Sequence, residues 1–412
     1  MSCATSPRLI RKALFILLLI SSPFGAFGLA ADSPAGQYRS GEKIIGMIHR
    51  VFELTNEKER QRAVRMLLDT VAREGRIPIT DSSVYFIYAG SARHVFVAGD
   101  FNAWSPSSDG MMHVQGTNLF VLNLVLPHAA RFEYKFVVDS NWVLDSLNPR
   151  TALGGFGSNS EVSLPGYLPP PDTGYRGNVQ HGTIDTLEFQ SRLLGCSHPV
   201  LVYLPPGHTP DTAMRVLYVT DGGEYLERTR FANVLDNLIA GHRIPPLAGI
   251  FVDPRLRLDD SRTNRRMSEY AISDTFLNFL ADELRPFLAK SYHITTEPSH
   301  TGILGASMGG LISTYAIFRR PDAFGLGAAQ SPAYQIRGET IFSKIPPGNH
   351  SGVKMYLETG TLHDAEILSR RMKDALTRAG FLVRYVEVPE GHNWINWSGH
   401  LADLLTYFWG TP

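Results

Sequence analysis

The second half of the chain alternates short apolar segments with amphipathic ones, and this alternation restricts the fold more than any other feature. Amphipathic stretches at helical spacing include Ser273–Ala289 and Ala365–Ala379. Strands that alternate with helices predict an α/β fold whose sheet is covered on both faces. The segments with the composition of buried strands are Val200–Leu204, Val216–Thr220, Leu247–Val252, Gly302–Leu304, Gly325–Ala329, Val353–Leu357 and Leu382–Val388.

The first half is organised differently. Residues 41–75 carry apolar side chains at near-helical spacing, which predicts a pair of amphipathic helices within a segment spanning 32–81. From 82 to 165 short β-rich runs with a period of two alternate with turns, which predicts a small immunoglobulin-like β-sandwich. A proline cluster then predicts a semi-rigid linker over 166–182, and the α/β domain occupies 183–412.

The charge balance argues against two classes of partner. The 412 residues include 39 Lys and Arg and 39 Asp and Glu, so the formal net charge is +0. Hydrophobic residues make up 43% and charged residues 19%, as in globular proteins. Without excess positive charge the chain has no electrostatic attraction to nucleic acid or to an anionic membrane, so neither is expected as a partner.

The first 31 residues have the pattern of a secretory signal peptide. Arg8, Arg11 and Lys12 precede the apolar run Ala13–Ile20, and a stretch of small residues ends at Ala31. The apolar run is shorter than the roughly 20 residues that span a bilayer. We therefore expect cleavage and export to the periplasm or the cell exterior, with no stable membrane anchor afterwards.

No motif for a cofactor is found. No cluster of histidine, cysteine and glutamate has the spacing of a zinc site, and neither a phosphate-cradling loop nor a dinucleotide fingerprint occurs. Removal of residues 1–31 leaves Cys196 as the remaining thiol, so no internal disulfide is expected and the residue is interpreted as structural. We expect chemistry that needs neither a cofactor nor a metal.

A serine lies among small residues between a predicted strand and a predicted helix. Gly305-Ala306-Ser307-Met308-Gly309 follows an apolar segment and precedes the helix-like stretch Leu311–Arg319. A nucleophilic serine on a sharp turn needs small neighbours, and the next amide then lies at a helix N-terminus, where negative charge is stabilised. A glycine-rich turn with a capping serine has the same pattern, so the catalytic interpretation depends on a base and an acid elsewhere.

Candidates for the remaining groups occur in the chain order typical of α/β-hydrolases. His392 lies in a glycine-bearing loop after the last predicted strand, where this fold presents its base. Asp364 follows the preceding strand and is favoured as the acid, with Glu358 as the competing candidate. The predicted oxyanion donors are the amide of Met308, directly after the nucleophile, and the amide of Gly223, in the loop after an early strand.

Several motifs in this order resemble the esterase D-type family, which includes enterochelin esterases and the feruloyl and acetyl-xylan esterases of carbohydrate esterase family one. The resemblance covers roughly Thr183 to Trp409 and implies an α/β-hydrolase fold with esterase activity. In feruloyl-esterase relatives a Gly-Thr-x-Asp motif supplies the acid, whereas the segment here, Gly360 to Asp364, is one residue longer. The resemblance also implies a pair near the site formed by Arg266 and Glu269. The motifs are Val202-Tyr203-Leu204-Pro205-Pro206-Gly207, Tyr218-Val219-Thr220-Asp221-Gly222-Gly223, Arg266-Met267-Ser268-Glu269-Tyr270, Glu283-Leu284-Arg285-Pro286-Phe287, Gly305-Ala306-Ser307-Met308-Gly309-Gly310, Gln330-Ser331-Pro332 and Gly391-His392-Asn393-Trp394.

The β-rich segment resembles the early-set, family-48 glycan-binding module. The residues that carry the likeness are Val97 to Pro106, Phe132 to Asp139, Trp142 and Gly157-Ser158-Asn159. In that family two tryptophans stack on sugar rings, while a lysine and an asparagine bind hydroxyls. The resemblance therefore implies polysaccharide binding by Trp104, Trp142, Lys135 and Asn159, although such modules also serve as packing domains.

Together these observations predict an exported serine esterase that acts through Ser307, His392 and Asp364. The expected substrate is a siderophore ester or an acyl or feruloyl ester of a carbohydrate. An acyltransferase on the same scaffold and a non-catalytic glycan-binding protein stay open as alternatives. Trp394 and Trp397, which flank the histidine, either line an acyl pocket or pack on the core.

Overall fold

A computed structural model describes residues 34–155, 157–208, 213–255 and 264–410. The signal peptide predicted for residues 1–31 lies outside these ranges. Within them, no helix combines the length and the apolar character that crossing a bilayer requires.

The described chain begins with two helices, α1 (Pro34–Glu53) and α2 (Glu57–Glu74). Asn56 caps the second helix, because its side chain accepts a hydrogen bond from the Glu59 amide at 3.2 Å. Gly75 ends it in the left-handed conformation. The apolar faces of both helices pack together on one β-sheet of the next domain, in a cluster that includes Ile48, Leu67 and Val121.

Residues 83–163 form a sandwich of two antiparallel sheets. One sheet has the strand order β1-β5-β4 and the other β3-β2-β6-β9-β8, with β7 paired to β6. The strands are β1 (Ser83–Ala89), β2 (Val95–Gly99), β3 (Asp109–Gly110), β4 (Met112–His113), β5 (Leu119–Val125), β6 (Arg131–Val138), β7 (Asn141–Val143), β8 (Thr151–Gly154) and β9 (Gly157–Ser163). On β6, Phe132, Tyr134 and Phe136 fill the sandwich core. Because side chains alternate along a strand, the intervening Arg131, Glu133 and Lys135 lie on the outer face of the second sheet.

The C-terminal domain is built on an eight-stranded sheet in the order β10-β11-β13-β12-β14-β15-β16-β17. The two pairings at the β10 edge are antiparallel and the others are parallel. Separate apolar clusters cover the two faces. The strands are β10 (Thr183–Gln190), β11 (Ser197–Leu204), β12 (Arg215–Thr220), β13 (Leu247–Val252), β14 (Thr301–Ala306), β15 (Leu326–Gln330), β16 (Lys354–Gly360) and β17 (Leu382–Val388). This confirms the predicted fold class, an α/β-hydrolase domain preceded by a small β-sandwich.

Helices connect these strands over both faces of the sheet. They are α3 (Gly222–Arg228), α4 (Phe231–Ala240), α5 (Arg266–Tyr270), α6 (Asp274–Asn278), α7 (Arg285–Tyr292), α8 (Met308–Arg319), α9 (Ile336–Glu339), α10 (Glu366–Arg378), α11 (Trp394–Gly399) and α12 (Leu401–Trp409). A π-helical segment, Phe279–Leu284, joins α6 to α7. Strand β10 was not expected, since its side chains are mostly exposed and it lacks the apolar character of a buried strand.

The proline-rich segment between the domains packs against the hydrolase. The buried Asp172 carboxylate accepts a hydrogen bond from Arg243 at 2.6 Å, and its carbonyl accepts one from the Asn237 side chain at 2.8 Å. Farther along, His181 pairs with the Asp236 carboxylate at 2.8 Å. These contacts hold Asp172 and His181 of the segment against helix α4 and its C-terminal flank.

Candidate active site

Ser307 lies on the turn that joins β14 to α8, with φ 56° and ψ −118°. Such a conformation is strained for a residue with a side chain, and strain of this kind clusters at functional sites. The glycines on either side allow the chain to pass close to β12. A Cβ on Gly305 or Gly309 would lie 2.3 or 2.4 Å from the Thr220 hydroxyl oxygen. The elbow pattern therefore matches the geometry that it predicts.

His392 and Asp364 are hydrogen-bonded, with 2.7 Å between His392 Nδ1 and Asp364 Oδ1. The Asp364 side chain is fully buried, whereas that of His392 is 44% exposed. The other carboxylate oxygen, Oδ2, accepts hydrogen bonds from the Gly360 amide at 2.7 Å, the Ser331 hydroxyl at 2.5 Å and the Thr359 hydroxyl at 3.4 Å. This acid is thus held by three donors while it orients the imidazole.

The turn after β15 connects the serine to the acid. The Ser307 amide donates to the Gln330 carbonyl at 2.9 Å, and the next residue, Ser331, donates to Asp364. No hydrogen bond joins the Ser307 hydroxyl to the His392 ring among the described residues. Bonds between a nucleophile and its base are often long in free enzymes and shorten when substrate binds.

The competing acid, Glu358, is completely buried and has no hydrogen bond to His392. One of its oxygens accepts from Gln330 at 3.2 Å. Burial and the neighbouring Asp364 carboxylate raise the pKa of Glu358 to about 8. A carboxyl that is neutral at pH 7 is poorly suited to stabilise an imidazolium, so the geometry favours Asp364.

The two predicted oxyanion donors differ in their surroundings. Met308 is the first residue of α8, and its amide has no acceptor within the described ranges. The Gly223 amide, in contrast, donates to the Asp253 carboxylate at 3.1 Å. The structure therefore does not present Gly223 as a free donor. It can bind an oxyanion only if it shares or releases Asp253, whose charge is balanced by Arg255 at 2.5 Å.

Both tryptophans beside the histidine pack on the core. Trp394 and Trp397 are 8% and 5% exposed and belong to one of the apolar clusters of the hydrolase. The Trp397 ring stands edge-on to His392, with 5.1 Å between ring centroids, and its indole N–H donates to Ser331 at 2.9 Å. Trp397 therefore supports the histidine and the acid rather than lining a wide pocket.

The loop that carries His392 also touches the β-sandwich. The Asn393 side chain donates to Asp100 Oδ2 at 3.0 Å and accepts from Arg131 at 2.9 Å. Gly391 lies so close to Asp100 that an added Cβ would be 2.2 Å from its Cγ. The backbone amide of Arg131 donates to the Pro389 carbonyl at 3.2 Å. Residues of the sandwich thus contact the chain on both sides of the histidine.

The four residues implied in sugar binding lie near that contact. Trp104 and Trp142 are stacked with 6.4 Å between centroids, and Trp142 is 46% exposed. Lys135 is partly exposed on the same face of β6 as Glu133. The Asn159 amide, however, donates to Glu133 at 2.7 Å, and the Trp104 indole donates to Asp100 at 3.0 Å. The tryptophans can form a stacking surface, but the Asn159 amide and the Trp104 indole N–H are already bonded within the protein.

The resemblance-based pairing of Arg266 with Glu269 is wrong. Arg266 instead pairs with Asp221 at 2.9 Å, at the start of the loop that contains Gly223. Glu269 accepts from Arg265 at 2.6 Å and pairs with the buried His198 at 3.0 Å. Residues three apart on a helix can share a face, but Glu269 pairs with Arg265, four residues before it, and Arg266 pairs with Asp221 of another loop.

One group of metal-type donors occurs in the described part of the chain, and the sequence did not indicate it. Donor atoms of Cys196, His198 and Glu269 lie within 4.8 Å of one another. The Arg265 guanidinium already neutralises Glu269, and burial raises the pKa of the Cys196 thiol, which opposes formation of the thiolate that binds metals. The arrangement fits a buried ion-pair cluster better than a metal site.

Sequence reasoning missed the residues that hold the acid and the histidine in place. Ser331 belongs to the Gln330-Ser331-Pro332 motif, yet no role was assigned to it. Asn393 follows the histidine directly and resembles an ordinary helix cap, which it also is, since it accepts from the Asn396 amide at 3.0 Å. Asp100 and Arg131 gave no signal, because nothing local in the sequence reveals a contact across 293 residues.

Family models match both halves of the chain. The model described as "Putative esterase" matches residues 191–408, and the model described as "Glycogen recognition site of AMP-activated protein kinase" matches residues 82–158.

Curated relatives match shorter stretches. The chain is 30% identical over 158 residues to the protein YbbA of Bacillus subtilis (strain 168), covering 36% of this chain and 62% of that protein. It is 25% identical over 239 residues to the iron(III) enterobactin esterase of Dickeya dadantii (strain 3937), covering 53% of each. With the endo-1,4-beta-xylanase/feruloyl esterase of Xylanibacter ruminicola it shares 25% identity over 242 residues, 56% of this chain and 32% of that protein. The alignments span less than two thirds of these relatives' own length.

Solved structures share the fold. The enterobactin esterase from Shigella flexneri, crystallised in the presence of enterobactin, superposes with a TM-score of 0.66 at 19% identity, covering 80% of this chain and 94% of that one. The CE1 ferulic acid esterase from Anaeromyces mucronatus, in complex with ferulic acid, gives 0.51 at 18% identity, covering 58% and 95%. Since the esterase model matches more than half of the chain, the chain belongs to the family described as "Putative esterase".

Proposed function

We propose that the protein is a serine esterase that hydrolyses carboxylic esters. The observation that carries the proposal is the hydrogen bond of 2.7 Å between His392 and the buried Asp364, at the edge of the sheet where Ser307 occupies its strained turn. A serine, a histidine and an acid on the loops after β14, β17 and β16 have the chain order of an α/β-hydrolase triad.

In the proposed reaction the Ser307 hydroxyl attacks the ester carbonyl and His392 accepts its proton. Because Nδ1 is bonded to Asp364, Nε2 is the nitrogen available to the serine. The Met308 amide, at the N-terminus of α8, stabilises the negative charge that develops on the carbonyl oxygen. His392 then returns the proton to the leaving alcohol, and water hydrolyses the acyl-serine by the same steps.

The names of two relatives support a proposal for the substrate class. One is an iron(III) enterobactin esterase and another an endo-1,4-beta-xylanase/feruloyl esterase. We propose a siderophore ester or an acyl or feruloyl ester of a carbohydrate, with the Trp104 and Trp142 surface binding a polysaccharide. Hydrolysis rates on enterobactin-type lactones and on feruloylated and acetylated sugars, measured side by side, distinguish these classes.

The mechanism is tested with Ser307→Ala. We expect loss of p-nitrophenyl acetate hydrolysis and of labelling by a fluorophosphonate probe, with an unchanged circular dichroism spectrum. Ser313→Ala is the matched control, because this serine is buried in α8 and takes no part in the proposed reaction. Full activity in Ser307→Ala would contradict the mechanism.

We also propose export, on the strength of the basic and apolar pattern of residues 1–31. Expression of the full chain in a bacterium, followed by mass spectrometry of the N-terminus in each compartment, tests it. Intact residues 1–31 on cytoplasmic protein would contradict the proposal.

A further inference from the structure

The interface between the β-sandwich and the hydrolase, called the seam below, contains a buried polar network. Arg131 is fully buried and donates to Glu133 at 2.9 Å and to Glu161 at 2.6 Å, both within the sandwich. It also donates to Asn393 of the hydrolase at 2.9 Å. Buried ion pairs add little to stability when compared with apolar residues of similar size, but their directional bonds fix relative geometry. The network is therefore better suited to holding a segment in place than to strengthening the fold.

Asp100 is a second member of this network that contacts the histidine loop. Its carboxylate is 3% exposed and packs against Gly391, the residue before His392. Its Oδ2 accepts from the Asn393 side chain, the residue after His392, and from the Glu133 amide at 2.8 Å. One carboxylate thus contacts both neighbours of the histidine.

Asn393 connects Asp100 to the first turn of helix α11. Its side-chain oxygen caps α11, and its amide nitrogen reaches Asp100, so the first turn of the helix and the sandwich are joined through one side chain. His392 is 44% exposed, and within the described residues its imidazole is hydrogen-bonded to Asp364 alone, so its position depends on the backbone on either side.

We propose that Asp100 of the β-sandwich is a positioning residue for His392. This inference rests on the proposed function and adds to it that the base is placed in part by the other domain. Asp100 does not touch substrate or the reacting atoms; it acts through Gly391 and Asn393. Without it the loop would lose a hydrogen bond at Asn393 and a packing contact at Gly391, and small displacements of a catalytic group lower the rate strongly.

The chain offers a matched control in Asp145. This carboxylate is also 3% exposed within the sandwich and accepts from a side chain, Tyr134 at 2.6 Å, and from a backbone amide, Leu147 at 2.8 Å. Burial raises the pKa of Asp100 and that of Asp145 alike to about 6. Asp145 has no hydrogen bond to the histidine loop, so its removal reports the cost of losing a buried carboxylate alone.

The experiment compares Asp100→Ala with Asp145→Ala in the full chain, using p-nitrophenyl acetate. We expect kcat to fall about 10- to 100-fold in Asp100→Ala, with KM within about threefold of wild type, and kcat to stay within about threefold in Asp145→Ala. Asn393→Ser retains a side chain that can cap α11 but is too short to reach Asp100, and we expect the same loss of kcat. The double variant should be no slower than the slower single one, because both changes remove the same hydrogen bond between Asn393 and Asp100.

The outcomes separate this inference from the proposed function. Equal kcat values in Asp100→Ala and Asp145→Ala, with an active wild type whose Ser307 is labelled by fluorophosphonate, overturn the inference alone. If Asp100→Ala does not fold, Asn393→Ser decides, and full activity there overturns the inference. A wild type that neither hydrolyses esters nor is labelled overturns the proposed function and the inference together.

Discussion

His392 is held from two sides by different domains. On the acid side, Asp364 is fixed by Ser331, Thr359 and Gly360, all within the hydrolase. On the loop side, Gly391 and Asn393 contact the β-sandwich. In the proposed mechanism the acid side determines the tautomer of the imidazole, whereas the loop side determines where the ring lies. Loss of the first should remove the chemistry, and loss of the second should reduce the fraction of molecules that are correctly arranged.

The largest effect is expected on the acid side. Asp364→Asn should lower kcat about 10³- to 10⁴-fold, because an amide at this position favours the wrong tautomer and does not stabilise the imidazolium. Glu358→Gln, which changes the other buried carboxyl at the end of β16, should leave kcat at pH 7 within about threefold of wild type. Steady-state kinetics on p-nitrophenyl acetate measure both. The opposite ranking would identify Glu358 as the acid.

The loop side gives a smaller loss. In Gly391→Ala the new methyl group would lie 2.2 Å from Asp100 Cγ, so the loop or the sandwich must move. We expect a 10- to 100-fold fall in kcat at constant KM, from displacement of His392. Gly399→Ala is the control, since a Cβ there meets no atom within 4 Å. Equal activities of the two variants would show that the loop tolerates displacement.

The buried carboxyl of Glu358 should also make the stability of the protein depend on pH. Burial raises the pKa of Glu358 from 4.5 to about 8, so its contribution to stability is fully present below pH 4.5 and is lost as the pH rises to about 8. Glu358→Gln removes the contribution of this carboxyl to the pH dependence of stability. Thermal unfolding midpoints are measured at pH 5, 6, 7 and 8 for both proteins. The midpoint of the variant minus that of wild type should increase as the pH increases. Parallel curves would mean that Glu358 ionises normally.

The smallest effect on a soluble ester concerns the tryptophans. Trp104→Ala should lower kcat on p-nitrophenyl acetate a few-fold, because its indole bonds to Asp100, whereas Trp142→Ala should not change it. Both should weaken binding to insoluble polysaccharide if the stacked pair is a glycan surface. Pull-down on glycan and initial rates measure these effects. Equal rates in the two variants would contradict the proposal that Trp104 acts on the histidine loop through Asp100.

Local patterns were sufficient to predict the elbow and every strand of the hydrolase sheet except β10. All seven strand segments predicted in the hydrolase overlap observed strands, because most buried strands of a parallel sheet are apolar along their length. The small residues around Ser307 are required because a Cβ on Gly305 or Gly309 would lie within 3 Å of Thr220. The order serine, acid, histidine followed from the fold. These features are encoded by residues adjacent in sequence.

The contact between domains could not be predicted in this way. Arg131 and Glu133 alternate with aromatic residues on β6, the pattern of a strand with one face in water, yet both are buried. The alternation identifies the outer face but not what covers it. The bond between Gly223 and Asp253 was missed for the same reason, because a backbone amide in a loop carries no sequence mark of its acceptor.

The shared seam restricts how the two domains can be inherited or recombined. A chimera joined within 166–182 that paired this hydrolase with an unrelated sandwich would leave the Asn393 amide and the Pro389 carbonyl facing a surface without matching partners. An unrelated sandwich should therefore not substitute for this one without loss of these contacts. Exchange would preserve activity when the incoming module carries an acceptor at the position of Asp100 and a donor at that of Arg131, so selection on the hydrolase extends to residues of its neighbour.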